Sequence, residues 1–227
     1  MPFETSTSRI LDLTWVRPVR QERSQRTLER LLDAAEVVIR EKGFADATVA
    51  DIARRADCSV GTFYRRFRDK RALLHALDER FAEEFRATME EAVAPERWQG
   101  APIVEILAGY IEFALKQGRT SAALQRAELV MSVRDATFAE RHMRLVRELH
   151  ERLRELLWAR REEIGHPEPA VAIEFVLEQL RTMLALRLNV SPLSSSLLSV
   201  SDAEFMSEQL TSVCAYLEVP PPTDPEE

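Results

Sequence analysis

Hydroxyl, phenol and guanidinium groups crowd into one short stretch, residues 48–67, which reads Thr-Val-Ala-Asp-Ile-Ala-Arg-Arg-Ala-Asp-Cys-Ser-Val-Gly-Thr-Phe-Tyr-Arg-Arg-Phe. An arginine carries five N–H donors in a fixed fork, able to clasp guanine O6 and N7, or a phosphate, through two bonds at once. The rest of the stretch suits two short helices: Ala53, Ala56 and Gly61 are small enough for them to cross closely, and basic residues follow. That is helix-turn-helix geometry, in which the second helix offers its N-terminal half to the major groove of DNA. No nucleophile motif, phosphate-cradling glycine loop or metal signature accompanies it. His142 and His150 stand eight apart without a third ligand nearby in sequence. No catalytic residue, metal or cofactor is therefore expected.

Capping residues mark the elements that must position these groups. Thr48, with Asp51 three residues on, has the spacing of a capping box and opens a helix that runs to about Ala56. Asp57-Cys58-Ser59 reads as a turn, and Ser59 caps a second short helix ending near Phe67. Cys58 is expected to be a packed thiol. Before the pair, Leu28, Leu31, Leu32, Ala35, Val38 and Ile39 form one helical stripe over 24–42, closed by Gly43. After it, Asp69 caps a long helix carrying Leu73, Leu74, Leu77, Phe81, Phe85 and Met89.

At these spacings Leu31-Leu-Asp-Ala-Ala35, Gly43-Phe44, Ile52-Ala53, Ser59-Val-Gly-Thr-Phe-Tyr64, Phe67, and Lys70 with Leu73-Leu74 resemble the DNA-binding domain of the TetR family, over residues 24–84. The resemblance implies that Thr48, Tyr64 and Lys70 touch phosphates, which fixes position without reading sequence. It assigns base reading to the exposed face of the helix capped by Ser59: Val60, Gly61, Thr62, Arg65 and Arg66. Phe63 and Phe67 match positions that pack inward. Two departures matter. The turn carries Asp57 where glycine is usual, and Asp tolerates left-handed geometry better than most residues. Val60 and Gly61 lack hydrogen-bonding side chains, so Arg65 carries more of the reading, with Arg17, Arg20 and Arg23 of an N-terminal arm as minor-groove contacts.

The net charge of −7 argues against a nucleic-acid partner until its distribution is read. Residues 17–71 hold 14 Lys or Arg against 9 Asp or Glu, whereas residues 81–227 hold 15 against 25. A basic head on an acidic body is the asymmetry of a DNA-binding domain joined to a separate regulatory one. The opening residues carry no secretory pattern, no apolar run reaches membrane length, and only Cys58 and Cys214 occur. A soluble cytoplasmic protein without membrane association is expected.

Beyond Gly100-Ala-Pro102 the pattern predicts helices over 103–117, 120–133, 136–164, 169–188 and 202–217, a loop over 189–201, and no strand. The fold class is all-α: an arm (1–23), a three-helix DNA-binding domain (24–70), a helical ligand-binding and dimerisation domain (71–218), and a disordered tail (219–227). Phe85, Met89, Trp98, Tyr110, Phe113, Met131 and Phe138 are candidate walls of a pocket for a small, mostly apolar effector, while Glu105, Glu112 and Glu128 leave room for a cationic one. The resemblance implies a homodimer on the last two helices, through Phe175, Leu180, Leu184, Leu210, Val213 and Leu217. The expected function is repression from a palindromic operator, relieved by the effector. A same-fold regulator without an effector, or an activator, is the alternative. A helical protein-interaction module with a degenerate head stands further off.

Overall fold

The computed structural model describes residues 22–132, 135–188 and 200–220, with the side chains of a few helical residues left out. Among them no strand forms. The helices are α1 (Glu22–Asp46), α2 (Val49–Arg55), α3 (Val60–Arg66), α4 (Lys70–Ala92), α5 (Ile103–Ser132), α6 (Ala136–Trp158), α7 (Pro169–Arg187) and α8 (Asp202–Leu217). No helix of the described residues is long and apolar enough to cross a membrane. Arg17, Arg20, most of the loop expected over 189–201, and residues 221–227 lie outside the described residues, as do the side chains of Arg23 and Glu128.

Packing divides the chain into two units: one through Arg86 together with Ala123–His142, the other Ala87–Ala122 with the chain from Met143 onward. The sequence reading draws the first boundary at 70. The unit continues because Leu73, Leu74 and Leu77 of α4 join the core that Leu28, Leu31, Leu32, Ile52, Phe63 and Phe67 build. Ala127 and Phe138 join the same core, with Leu124 and Met131 packed against it. Charged groups surround it. Arg80 reaches Asp33 at 2.6 Å and Glu36 at 3.0 Å on α1. Asp135 takes a hydrogen bond from Arg71 Nε at 3.1 Å and meets His75 Nε2 at 2.8 Å. Arg141 pairs with Asp78, and with Glu79 at 3.2 Å.

In the second unit α5 runs unbroken where two helices are expected. Gly118 reads as an interruption in sequence, yet a Cβ there would lie 2.2 Å from Leu188 Cδ1. The glycine admits a neighbour rather than ending the helix. The expected helix over 136–164 stops at Trp158, and a short 3-10 turn, Arg161–Glu163, follows. On α7, Ala172, Ile173, Val176, Leu177, Leu180 and Leu184 form one buried stripe. Leu210, Val213 and Leu217 are buried on α8, whose Ser201–Glu204 capping box fixes its start. Leu180, Leu184, Leu210, Val213 and Leu217 are thus core of a single chain, a correction to their assignment as contacts with a partner. Packing within the subunit already covers them, and of that set only Phe175 stays exposed, at 54%. Val219, placed in the tail by sequence, is also buried, its N–H donating to the Cys214 carbonyl.

Candidate nucleic-acid interface

Three caps set the geometry of the head. The Thr48 hydroxyl accepts from the Asp51 N–H at 3.0 Å and donates to the Asp51 carboxylate at 2.8 Å. Lys42 lies 3.0 Å from that carboxylate and Arg54 lies 2.7 Å from it. The hydrogen bonds from Lys42 and Thr48 bring its pKa down to about 2. Ser59 accepts from the Thr62 N–H at 3.1 Å, and Asp69 from the Ala72 N–H at 2.8 Å. Between the first two caps the chain turns through Asp57 at φ 49, the left-handed geometry inferred for a residue standing where glycine is usual. Cys58 packs against the core, and burial pushes its thiol pKa up, as suits a packed thiol.

Helical periodicity divides α3 into three faces. Phe63 and Phe67 are fully buried, their ring centroids 5.4 Å apart. Thr62 and Arg66 are half-buried, while Val60, Gly61, Tyr64 and Arg65 are exposed. Val60 shows 41% of its surface and Tyr64 48%, large apolar groups for solvent unless a partner covers them. Arg65 Nη2 donates to Thr62 Oγ1 at 2.8 Å, and Thr62 Oγ1 lies 3.0 Å from Ser59 Oγ. The cap therefore props the arginine, pre-setting its fork on the exposed face. Arg66 sits partly inward, and burial lowers its pKa; of the two adjacent arginines, Arg65 is the one that faces out.

Lys70 is not presented to solvent as the family resemblance leads one to expect. Its ammonium donates to the carbonyls of Phe44 at 2.6 Å, Ala45 at 3.1 Å and Ala47 at 2.9 Å. It also lies 4.5 Å from the centre of the Phe44 ring. An ammonium has three protons, and all three are in use. Burial lowers its pKa, with Asp46 opposing. Sequence spacing holds no sign of this, because the acceptors lie 23 to 26 residues away. Nor does it single out Arg68, whose side chain is 83% exposed and, among the described residues, paired with adjacent Asp69 alone, through Nε at 3.2 Å.

The residues expected to wall an effector pocket fall in both units. Phe138 belongs to the first unit's core, stacked on His75 at 4.2 Å, a correction to its pocket assignment, while Met131 packs against that core. Phe85 also belongs to that unit, 6.0 Å from the Phe81 ring. In the second unit Met89 and Tyr110 are buried, while Trp98 and Phe113 are half-buried. Burial pushes the Tyr110 phenol well above its usual pKa.

Residues 31–77 match the family described as "Bacterial regulatory proteins, tetR family". The HTH-type transcriptional regulator BetI of Escherichia coli is 51% identical over 47 residues, which is 21% of this chain and 24% of that protein. The alignment thus spans about a quarter of the relative's length. A putative TetR-family transcriptional regulator from Mesorhizobium loti shares the fold at a TM-score of 0.59 and 20% identity, over 87% of this chain and 98% of that one. SmeT, the repressor of the Stenotrophomonas maltophilia multidrug efflux pump SmeDEF, gives 0.57 at 22% identity, over 86% and 91%. Similarity of sequence lies in the head, where the capped helix pair sits, and similarity of fold extends over most of the chain. The head, residues 31–77, is thus similar to the tetR family of bacterial regulatory proteins, and the fold over most of the chain is similar to that of solved regulators.

Proposed function

We propose that this chain regulates transcription by binding a palindromic DNA operator as a homodimer, and that it represses. The observation that carries the reading is the outward face of α3, capped by Ser59, where Val60 and Gly61, which lack hydrogen-bonding side chains, lie exposed together with Tyr64 and Arg65. Gly61 allows close approach to base edges, and the Arg65 fork, propped by Thr62, suits a guanine. Tyr64 meets phosphate; Thr48 supports the same edge through its cap. Selecting bound duplexes from a random pool tests the whole reading, because it returns the operator and its half-site spacing together. Arg65→Ala is expected to cost ~1–3 kcal/mol on the selected operator and much less on random duplex. An unchanged ratio of the two affinities would move base reading elsewhere.

Dimerisation is supported by what α7 leaves uncovered: Val171 and Phe175 at 54% and Leu186 at 44% exposure. Phe175 leans on Tyr216 of α8, ring centroids 4.9 Å apart, so the two helices share one aromatic surface. A second copy related by a two-fold axis would cover such a face on both chains. Phe175→Glu is expected to convert the dimer to monomer in light scattering at micromolar concentration while leaving the helical circular dichroism unchanged. A wild-type monomer under those conditions would remove the dimer from the proposal.

Release by a small, mostly apolar effector is proposed for the second unit, where Met89, Tyr110, Trp98 and Phe113 supply apolar and aromatic surface. An effector must bind the DNA-incompetent state more tightly, since equal affinity for both shifts nothing. Screening for compounds that both raise the melting temperature and release the operator tests it.

A further inference from the structure

We infer that the phosphate-binding cation at the end of the recognition helix is Arg68, and that Lys70 is a positioning residue that ties the start of α4 to the end of α1. The inference rests on the DNA-binding reading above. The two cations sit two residues apart, so the chain places both beside α3, but their surroundings differ. Lys70 is surrounded by carbonyls at 2.6, 3.1 and 2.9 Å and lies against the Phe44 ring. These carbonyls follow Gly43, where the α1 helix loses its regular geometry, and a helix C-terminal end attracts a cation. To reach a phosphate, the ammonium would have to abandon several charge-assisted bonds for one, and its half-buried position would open. Because the Ala47 carbonyl precedes Thr48, this anchoring also sets residues 68–70 beside the first cap.

Arg68 needs no such exchange. With 83% of its side chain exposed, it is bonded through Nε alone, to Asp69 Oδ2 at 3.2 Å. Asp69 meanwhile uses Oδ1 to cap Ala72 at 2.8 Å. Among the described residues the Arg68 Nη groups have no partner, and a pair this exposed, screened by water, holds the side chain only weakly. The residue lies one turn's worth of chain beyond Tyr64 and three residues beyond Arg65. A guanidinium at that place extends the phosphate contact of Tyr64 along the same strand.

The test is titration of a fluorescein-labelled duplex of arbitrary sequence across a range of NaCl concentrations, alongside melting curves. Removing one phosphate-binding cation flattens the slope of log affinity against log salt by about 0.9. Arg68→Ala is expected to flatten it by that amount with no change in melting temperature, and Arg68→Lys to restore it. Lys70→Met is expected to melt several degrees lower, or to unfold outright, with the wild-type slope retained wherever it is folded. The inference is overturned by a wild-type slope in Arg68→Ala, or by a flattened slope in Lys70→Met at unchanged melting temperature. A wild-type chain without salt-dependent binding overturns the DNA-binding reading and this inference with it.

Discussion

Arg141→Ala is expected to destabilise the first unit by about 3–5 kcal/mol in urea denaturation, the range for removing one partner of a buried ion pair. Arg141 is 5% exposed and Asp78 3%, so the aspartate left behind would face neither water nor a cation. Glu79, 3.2 Å from Arg141 Nε, would lose its partner too. The loss is large against the roughly 5–15 kcal/mol that holds an ordinary domain together. The pair ties the first part of α6 to α4, so its loss loosens the helix that follows the recognition helix. Much of that cost is the stranded charge rather than the strength of the pair. Arg141→Met combined with Asp78→Leu is therefore expected to recover most of the stability, because apolar groups of matching volume replace buried pairs at little cost. A loss below about 1 kcal/mol in the single variant would mean that water reaches the carboxylates.

What is legible in the sequence is local. Thr48, Ser59 and Asp69 announce three helix starts because a cap bonds two or three residues ahead, and the structure finds all three in that role. The 3.6-residue stripe of α1 and the inward Phe63 and Phe67 follow from the same short range. Interactions over long separations are not legible. Lys70 reads as a surface cation, and only the folded chain brings the Phe44, Ala45 and Ala47 carbonyls to it. Gly118 reads as a helix end, until Leu188 is found occupying the space a side chain would need. Arg71, His75 and Asp78 lie at i, i+4 and i+7 on α4, a stripe visible in sequence, but their partners Asp135 and Arg141 are 60 or more residues away. The apolar breadth of the sequence over 169–188 leads one to expect cover on more than one side; within the chain one stripe of α7 is buried, and Val171, Phe175 and Leu186 stay exposed. That breadth does not say which apolar residues the chain itself covers.

Phe138 shows how such a residue changes meaning once placed, and its truncation is the second large effect. As a pocket wall it would border open space, and Phe138→Ala would cost little while widening the range of effectors. In the structure it is 1% exposed within the core of Leu28, Leu73 and Leu74, its ring stacked on His75 at 4.2 Å and 6°. Phe138→Ala is therefore expected to cost about 3–5 kcal/mol in urea denaturation, the range for an aromatic ring deleted from a packed interior. A second signature concerns His75, whose pKa burial pushes down against the opposing pull of Asp135. A histidine held below its ordinary value binds its proton more readily in the unfolded chain, so the fold loses stability as pH falls through about 6.5. Removing the stacked ring admits water to the imidazole and lets its pKa climb back. The variant should accordingly lose less additional stability between about pH 7 and pH 5 than the wild type, a difference read by repeating the urea curves at both values. A cost below about 1 kcal/mol with unchanged pH dependence would return Phe138 to the wall of a cavity and reopen the effector assignment there.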